Sequence, residues 1–292
     1  MMLRRQILLA GSALLARPVR GATGPAGRVV ASFSILADIA HQLLPAGIEV
    51  ASLVGPDADA HVYEPSAADA RRLATADLVL VNGLGFEGWM ERLVRLSAAP
   101  GAVITASAGL EPRTVAGVPD PHVWQSLTLM RRYTANLAAA FARRWPAAAS
   151  EIRARSTAYL AQLEQLDARI HGWIDAIPRQ QRRVITSHDA FGYFGHAYGI
   201  DFLAPQGWST LSEPSAAAVA RLIRQVQRDG VRALFVENIS DPRLIERIAR
   251  EGGARVGGVL YSDALSRRGG PAETYVDLMA HNARTLVDAL SH

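Results

Sequence analysis

At 292 residues, nearly half of them apolar, the chain is long enough for two domain-sized cores. It contains no cysteine, which excludes disulfides and thiolate-bound zinc and leads us to expect a protein that is not a lipoprotein. The 31 basic residues are all arginine, against 27 acidic residues. Four of those arginines and no acid fall within residues 1–22, which leaves 27 of each sign over the remainder. With the arginines dispersed over helix faces, no basic tract offers a surface to nucleic acid.

Taken in chain order, residues 1–22 read as a signal peptide. Arg4 and Arg5 precede an apolar run from Ile7 to Ala16, and the small residues Gly21 and Ala22 follow. The arginine pair fits a twin-arginine signal as well as an ordinary one. No later apolar stretch reaches about 18 uncharged residues, so no membrane span is expected in the mature protein, and the expected location is the periplasm.

Short β-branched or apolar runs then alternate with helical patterns. Strands are predicted at Arg28–Ser34, Ile48–Val54, Leu78–Val81 and Ala102–Thr105, with helices at Ser66–Thr75 and Phe86–Ser97. Next comes an unusually long helical pattern. Ile152, Tyr159, Leu163, Leu166, Ile170, Trp173 and Ile177 draw one apolar stripe, bounded by Pro146 and Pro178. About 32 residues at ~1.5 Å each predict a rod of roughly 48 Å. The strand–helix alternation then resumes, with strands at Arg183–Thr186, Ile200–Leu203, Ala233–Val236 and Val256–Leu260, and helices at Ser215–Arg228 and Pro242–Gly252. The pattern predicts an α/β fold of two lobes, each a mainly parallel sheet flanked by helices, joined by one long rigid backbone helix. The expected division is a signal peptide over 1–22, an N-terminal lobe over 23–145, the linking helix over 146–178 and a C-terminal lobe over 179–292.

Four residues stand out as candidate metal ligands: His61 in GPDADAHVYEPS, His122 in PDPHVW, His188 in TSHDAFGYF and Asp263 in LYSDALS. They are 61, 66 and 75 residues apart, so only tertiary structure can bring them together. Each follows a predicted strand, where open α/β sheets place their ligands, and each half supplies two. Three imidazoles and a carboxylate suit Zn²⁺ and are tolerable for Mn²⁺. A loop histidine alone is a weak indication. The turn sequences Gly55-Pro56-Asp57 and Pro119-Asp120-Pro121 strengthen it by fixing two of the loops. Trp124, Tyr63, Phe191 and Tyr193 are placed to wall the site from water. Glu237, at a strand end, can accept the second imidazole N–H of a ligand histidine; capping the helix that follows Asp241-Pro242 is its alternative role. His41, His171, His281 and His292 read as structural or solvated, and His196 as a decoy near His188.

These segments, together with VVASFSILADIA, LFVENIS and the long central helix, resemble the zinc- and manganese-binding receptors of metal ABC importers, a cluster of periplasmic solute-binding proteins. The resemblance covers the whole mature chain. It implies two α/β lobes joined by a single rigid helix, with the metal between them on His61, His122, His188 and Asp263. It also implies a membrane permease as partner, and it leaves a metallochaperone open as a second. Two departures are visible. Gln125-Ser126-Leu127 replaces the usual Leu-Asp-Pro after His122, and the histidine-rich loop of many zinc receptors is missing. Manganese-specific members tend to have Glu where His188 stands, so a third imidazole favours zinc. The expectation is therefore a monomeric Zn²⁺ receptor with one ion per chain and no catalytic residues. The alternatives are a manganese receptor of the same family and an exported zinc hydrolase. Four protein ligands and the lack of an HExxH motif weigh against hydrolysis.

Overall fold

Val29, Val30, Ala31, Ser32 and Phe33 are all fully buried, as expected of a parallel strand covered on both faces. They form β1 (Gly27–Phe33), the second strand of a four-stranded parallel sheet. Its other strands are β2 (Ile48–Val54), β3 (Leu78–Val81) and β4 (Ala102–Thr105), in the order β2-β1-β3-β4. The computed structural model describes residues 25–97, 101–115 and 117–291. The signal peptide expected over 1–22 lies outside them, as does His292.

After β4 a two-stranded antiparallel hairpin, β5 (Thr114–Val115) and β6 (Val118–Pro119), leads to the His122 loop. The second parallel sheet comprises β7 (Arg183–Ile185), β8 (Asp201–Leu203), β9 (Ala233–Glu237) and β10 (Arg255–Leu260), in the order β10-β9-β7-β8. Counted from its own first strand, each sheet runs second, first, third, fourth. The two halves therefore repeat one topology, and in each the chain switches sides between its first and third strands.

The helices are α1 (Ser34–Leu43), α2 (Ala67–Ala74), α3 (Met90–Ser97), α4 (Leu127–Arg144), α5 (Ala149–Asp175), α6 (Gly192–Tyr198), α7 (Ala216–Asp229), α8 (Arg243–Gly252) and α9 (Tyr275–Leu290). Local chemistry sets several of their starts. Ser66 and Asp69 form a reciprocal capping box on α2, while Ser126, Ser215 and Thr274 each accept a backbone N–H at the start of α4, α7 and α9. The predicted Phe86–Ser97 helix begins only at Met90. Residues before it are held in turns by the Glu87 carboxylate, which accepts the backbone N–H groups of Asn82 (2.6 Å) and Gly83 (3.1 Å).

The long helix α5 links the two lobes. It spans 27 residues, about 40 Å, and so is shorter than predicted, because Pro146–Ala148 form a tight 3-10 turn ahead of it. Its buried stripe is Ile152, Ser156, Tyr159, Leu163, Leu166, Ile170 and Ile174. Trp173, expected in that stripe, is instead half-buried, with the guanidinium groups of Arg169 and Arg284 over its ring. α5 packs along α4 and α1 from the first half and α9 from the second, so one continuous core runs through both halves. No described helix is long and apolar enough to cross a membrane.

Candidate metal centre

Every parallel strand of a sheet ends on the same edge, and both sheets turn that edge toward the same point. His61 sits in the loop after β2, His122 three residues past the β5–β6 hairpin that follows β4, His188 three residues past β7 and Asp263 three residues past β10. All four are buried, and one donor atom from each lies within 4.8 Å of every other. Asp263 is the hub. Its Oδ2 is 3.2 Å from His61 Nε2 and 3.3 Å from His188 Nε2, and its Oδ1 is 3.6 Å from His122 Nε2.

None of these nitrogens and oxygens has a hydrogen-bond partner of proper geometry. Five buried polar atoms turned on one point without partners would be costly in a finished core. A tetrahedral ion with bonds of about 2.0–2.1 Å holds its donors about 3.3 Å apart, close to the separations around Asp263. The residues present therefore fit a divalent cation.

Local packing aims each ring. The Asp120 Oδ1 atom lies 2.8 Å from His122 Nδ1 and also accepts the His122 backbone N–H at 3.0 Å. Glu237, at the end of β9, accepts the His188 backbone N–H at 2.8 Å, and its other oxygen lies 2.6 Å from Nδ1. Carboxylates behind two imidazoles fix the ring orientation and leave Nε2 free for a cation. Glu237 thus contacts His188, and α8 starts without a side-chain cap. For His61, Asp59 does part of this work by accepting the backbone N–H at 2.8 Å.

Electrostatics follow from these contacts. Burial works against protonation of His188, but the Glu237 and Asp263 carboxylates outweigh it and hold the pKa well above the ordinary imidazole value. Burial likewise opposes ionisation of Asp263. There the charges of His122 and His188 and the contacts with His188 and His61 prevail and hold the carboxyl well below its usual range.

Aromatic side chains close the site. Trp124 packs 5.2 Å from the His122 ring, and Phe86 packs 4.8 Å from the His61 ring. Half-buried Trp208 lies 6.1 Å from His61 on the outer side. Of the four aromatics expected in this role, Trp124, Phe191 and Tyr193 are buried. Tyr63 instead packs edge-on against Trp89 and donates to Asp69. Phe86 and Trp208 do what Tyr63 was expected to do; both are remote from the histidines in sequence. Asp120 was read only as a turn residue. Its position two before a histidine, between two prolines, was the available signal.

The halves are sewn together around the centre. Trp124 Nε1 and Gln125 Nε2 both donate to the Ser262 carbonyl at 2.8 Å, beside Asp263. The Gln125-Ser126-Leu127 departure thus gives α4 a serine cap and an amide that grips the Asp263 loop. Asp57 takes a left-handed φ of 54° to start the His61 loop; its N–H donates to the Leu265 carbonyl and its carboxylate accepts from Asn238. The decoys stay apart: His41, His171 and His196 are exposed, and His281 meets the Val259 carbonyl.

Residues 29–289 match the family model for ZnuA, zinc-uptake complex component A, periplasmic. The chain belongs to this family. It is a metal-binding receptor of an ABC importer and not an enzyme, which removes the hydrolase alternative. It is 34% identical over 274 residues to the manganese-binding lipoprotein MntA of Bacillus subtilis, covering 90% of this chain and 89% of the relative. It is 32% identical to the zinc-binding protein TroA of Treponema pallidum, covering 90% and 88%, and 30% identical to the iron-binding protein YfeA of Yersinia pestis, covering 95% and 91%. The solved structure of the Treponema pallidum protein superposes with a TM-score of 0.88 at 30% identity, covering 91% of this chain and 99% of that one. The expectation of a protein that is not a lipoprotein is corrected here. It rested on the lack of cysteine alone, and the MntA relatives of this ZnuA-family chain are named lipoproteins.

Proposed function

We propose that the chain binds one Zn²⁺ on His61 Nε2, His122 Nε2, His188 Nε2 and Asp263 and delivers it to the permease of an ABC importer. The observation that carries this reading is the set of five buried, partnerless donor atoms around one point. Relatives are named for manganese, zinc and iron, so the preference for zinc rests on the donors. Three imidazoles and one carboxylate suit a four-coordinate borderline cation, and such a site binds Zn²⁺ more tightly than Mn²⁺. Asp120 and Glu237 support it by holding the Nδ1 side of two rings. Four protein donors close the site, as expected of a receptor that hands over an ion intact.

Manganese is the second reading. Both oxygens of Asp263 face imidazoles, and a bidentate carboxylate would raise the donor number to five, toward what Mn²⁺ prefers. We further propose that the lobes run over 23–145 and 179–292 with residues 146–178 between them, and that the receptor acts as a monomer, with a metallochaperone as a candidate loader. Metal content of protein purified without added metal, followed by competition titration of Zn²⁺ against Mn²⁺, tests the choice. Tighter Mn²⁺ binding at neutral pH would overturn the zinc reading.

A further inference from the structure

Among the described residues, one arginine is paired with a carboxylate of the metal centre. Asp120 and Arg113 bracket the β5–β6 hairpin, which their backbones close through the bond from Asp120 N–H to the Arg113 carbonyl at 2.8 Å. The two side chains therefore sit together. Asp120 Oδ1 engages His122, while Arg113 Nη1 lies 3.7 Å from Asp120 Oδ2. Both Nη1 and Oδ2 are buried without a hydrogen-bond partner, and each faces the other as an opposite charge, with the Asp189 carboxylate near enough to act on both.

The opposite flank of Arg113 rests on the second half of the chain. Its guanidinium carbon is 5.5 Å from the centre of the Tyr193 ring. The Tyr193 hydroxyl accepts the Arg113 backbone N–H at 2.9 Å and donates to the Asp120 carbonyl at 2.8 Å. Gly192 completes the seat. A Cβ there would fall 1.8 Å from Nη1, so the guanidinium has its place only because residue 192 lacks a side chain.

We propose that Arg113 is a positioning residue: seated on Gly192 and Tyr193 of the opposite lobe, it fixes Asp120, and Asp120 fixes His122 toward the ion. The proposal rests on the reading of His122 as a ligand. A buried carboxylate oxygen that loses its cation has nothing to hold it in place, so the carboxylate is free to rotate, and that rotation releases His122 Nδ1. Orientation of a ligand from the first lobe thus depends on contact with the second. The arginine side chain is 39% exposed, and a surface ion pair alone contributes little, so a purely superficial pair would leave metal binding unchanged.

Two variants separate these cases. Arg113→Ala deletes the guanidinium. Gly192→Ala leaves it in the chain and displaces only its mobile end, at a helical position where alanine is favourable. Each should weaken Zn²⁺ binding about 10-fold, the lower end of the range for carboxylate partners of ligand histidines. Each should also alter the visible ligand-field bands of the Co²⁺-substituted protein, which a loss of stability alone would not move. The double variant should be no weaker than Arg113→Ala. Unchanged affinity and Co²⁺ spectrum in Arg113→Ala, or additive losses in the double variant, would overturn the proposal. His122→Ala distinguishes the two levels. If it binds Zn²⁺ as tightly as the parent, the ligand assignment itself fails; if it loses binding while Arg113→Ala does not, only the positioning role fails.

Discussion

The Glu237 carboxylate meets His188 twice, accepting its backbone N–H at 2.8 Å through one oxygen and lying 2.6 Å from Nδ1 through the other. The two residues are 49 positions apart, but Glu237 ends β9 and His188 lies three residues past the neighbouring β7, where the chain order of the second sheet switches sides. Ring and backbone are held by one group, so His188 keeps its aim when no ion is present. Glu237→Gln removes the charge and one of the two acceptor sites. Zn²⁺ affinity should fall about 10–100-fold, read by competition titration, with the fold retained by circular dichroism. Parent-like affinity would show that the contact does not orient the ligand.

Removing a donor should cost far more than removing a decoy. His61→Ala, His122→Ala and His188→Ala each leave a vacant corner among buried polar groups, whereas His41 and His196 are exposed. Isothermal titration should give Zn²⁺ affinities lowered by at least about 100-fold for the first three, an amount on the order of 3 kcal/mol. The last two should stay within a few fold of the parent. Equal losses for His196 and His188 would mean the ligand set is wrong.

Zinc should stabilise the protein more at higher pH. The His188 pKa is raised above the ordinary value of about 6.5 by Glu237 and Asp263, against the effect of burial. A raised pKa means that the proton stabilises the metal-free fold; that contribution is complete below about pH 6.5 and lost as pH rises through the folded-state value. Zn²⁺ must displace the same proton. Asp263, held ionised, adds no slope in this range. The Zn²⁺-induced rise in melting temperature should therefore grow between about pH 5.5 and about pH 8.5, as measured by scanning fluorimetry. A rise that is flat or shrinks with pH would contradict this account.

The connector should resist bending. α5 buries Leu163, Leu166 and Ile170 in a core shared by both halves, and α9 crosses back to α1 and α5. Leu166→Ala should cost about 2–5 kcal/mol of stability by denaturant titration. The radius of gyration from small-angle scattering should change little between metal-free and Zn²⁺-loaded parent protein. A large drop on loading would point to hinge closure instead.

The sequence by itself determined the elements and the ligand candidates, because both are written in local chemistry. All eight strands of the two sheets show as short apolar runs at almost their observed bounds, and Ser66 and Ser215 mark the starts of two predicted helices as their caps. The three histidines are legible because each follows a strand in a loop stiffened by proline or flanked by aromatics. Helices α1, α4, α6 and α9 were not read out. α1 is buried at Ser34, Ile35, Leu36, Ala37, Ile39, Ala40 and Leu43, and a helix wrapped on most sides shows little amphipathic period. What only the tertiary structure decided is contact between distant residues. Tyr63 is the wall candidate beside His61 in the sequence, and packing put Phe86, 25 positions from His61, against that ring instead. Asp120 is a turn residue until the fold sets its second oxygen beside Arg113 and sets Arg113 against Gly192, 79 positions further on. Such pairings depend on which strand ends adjoin and on the space a missing Cβ leaves, and no local pattern carries either.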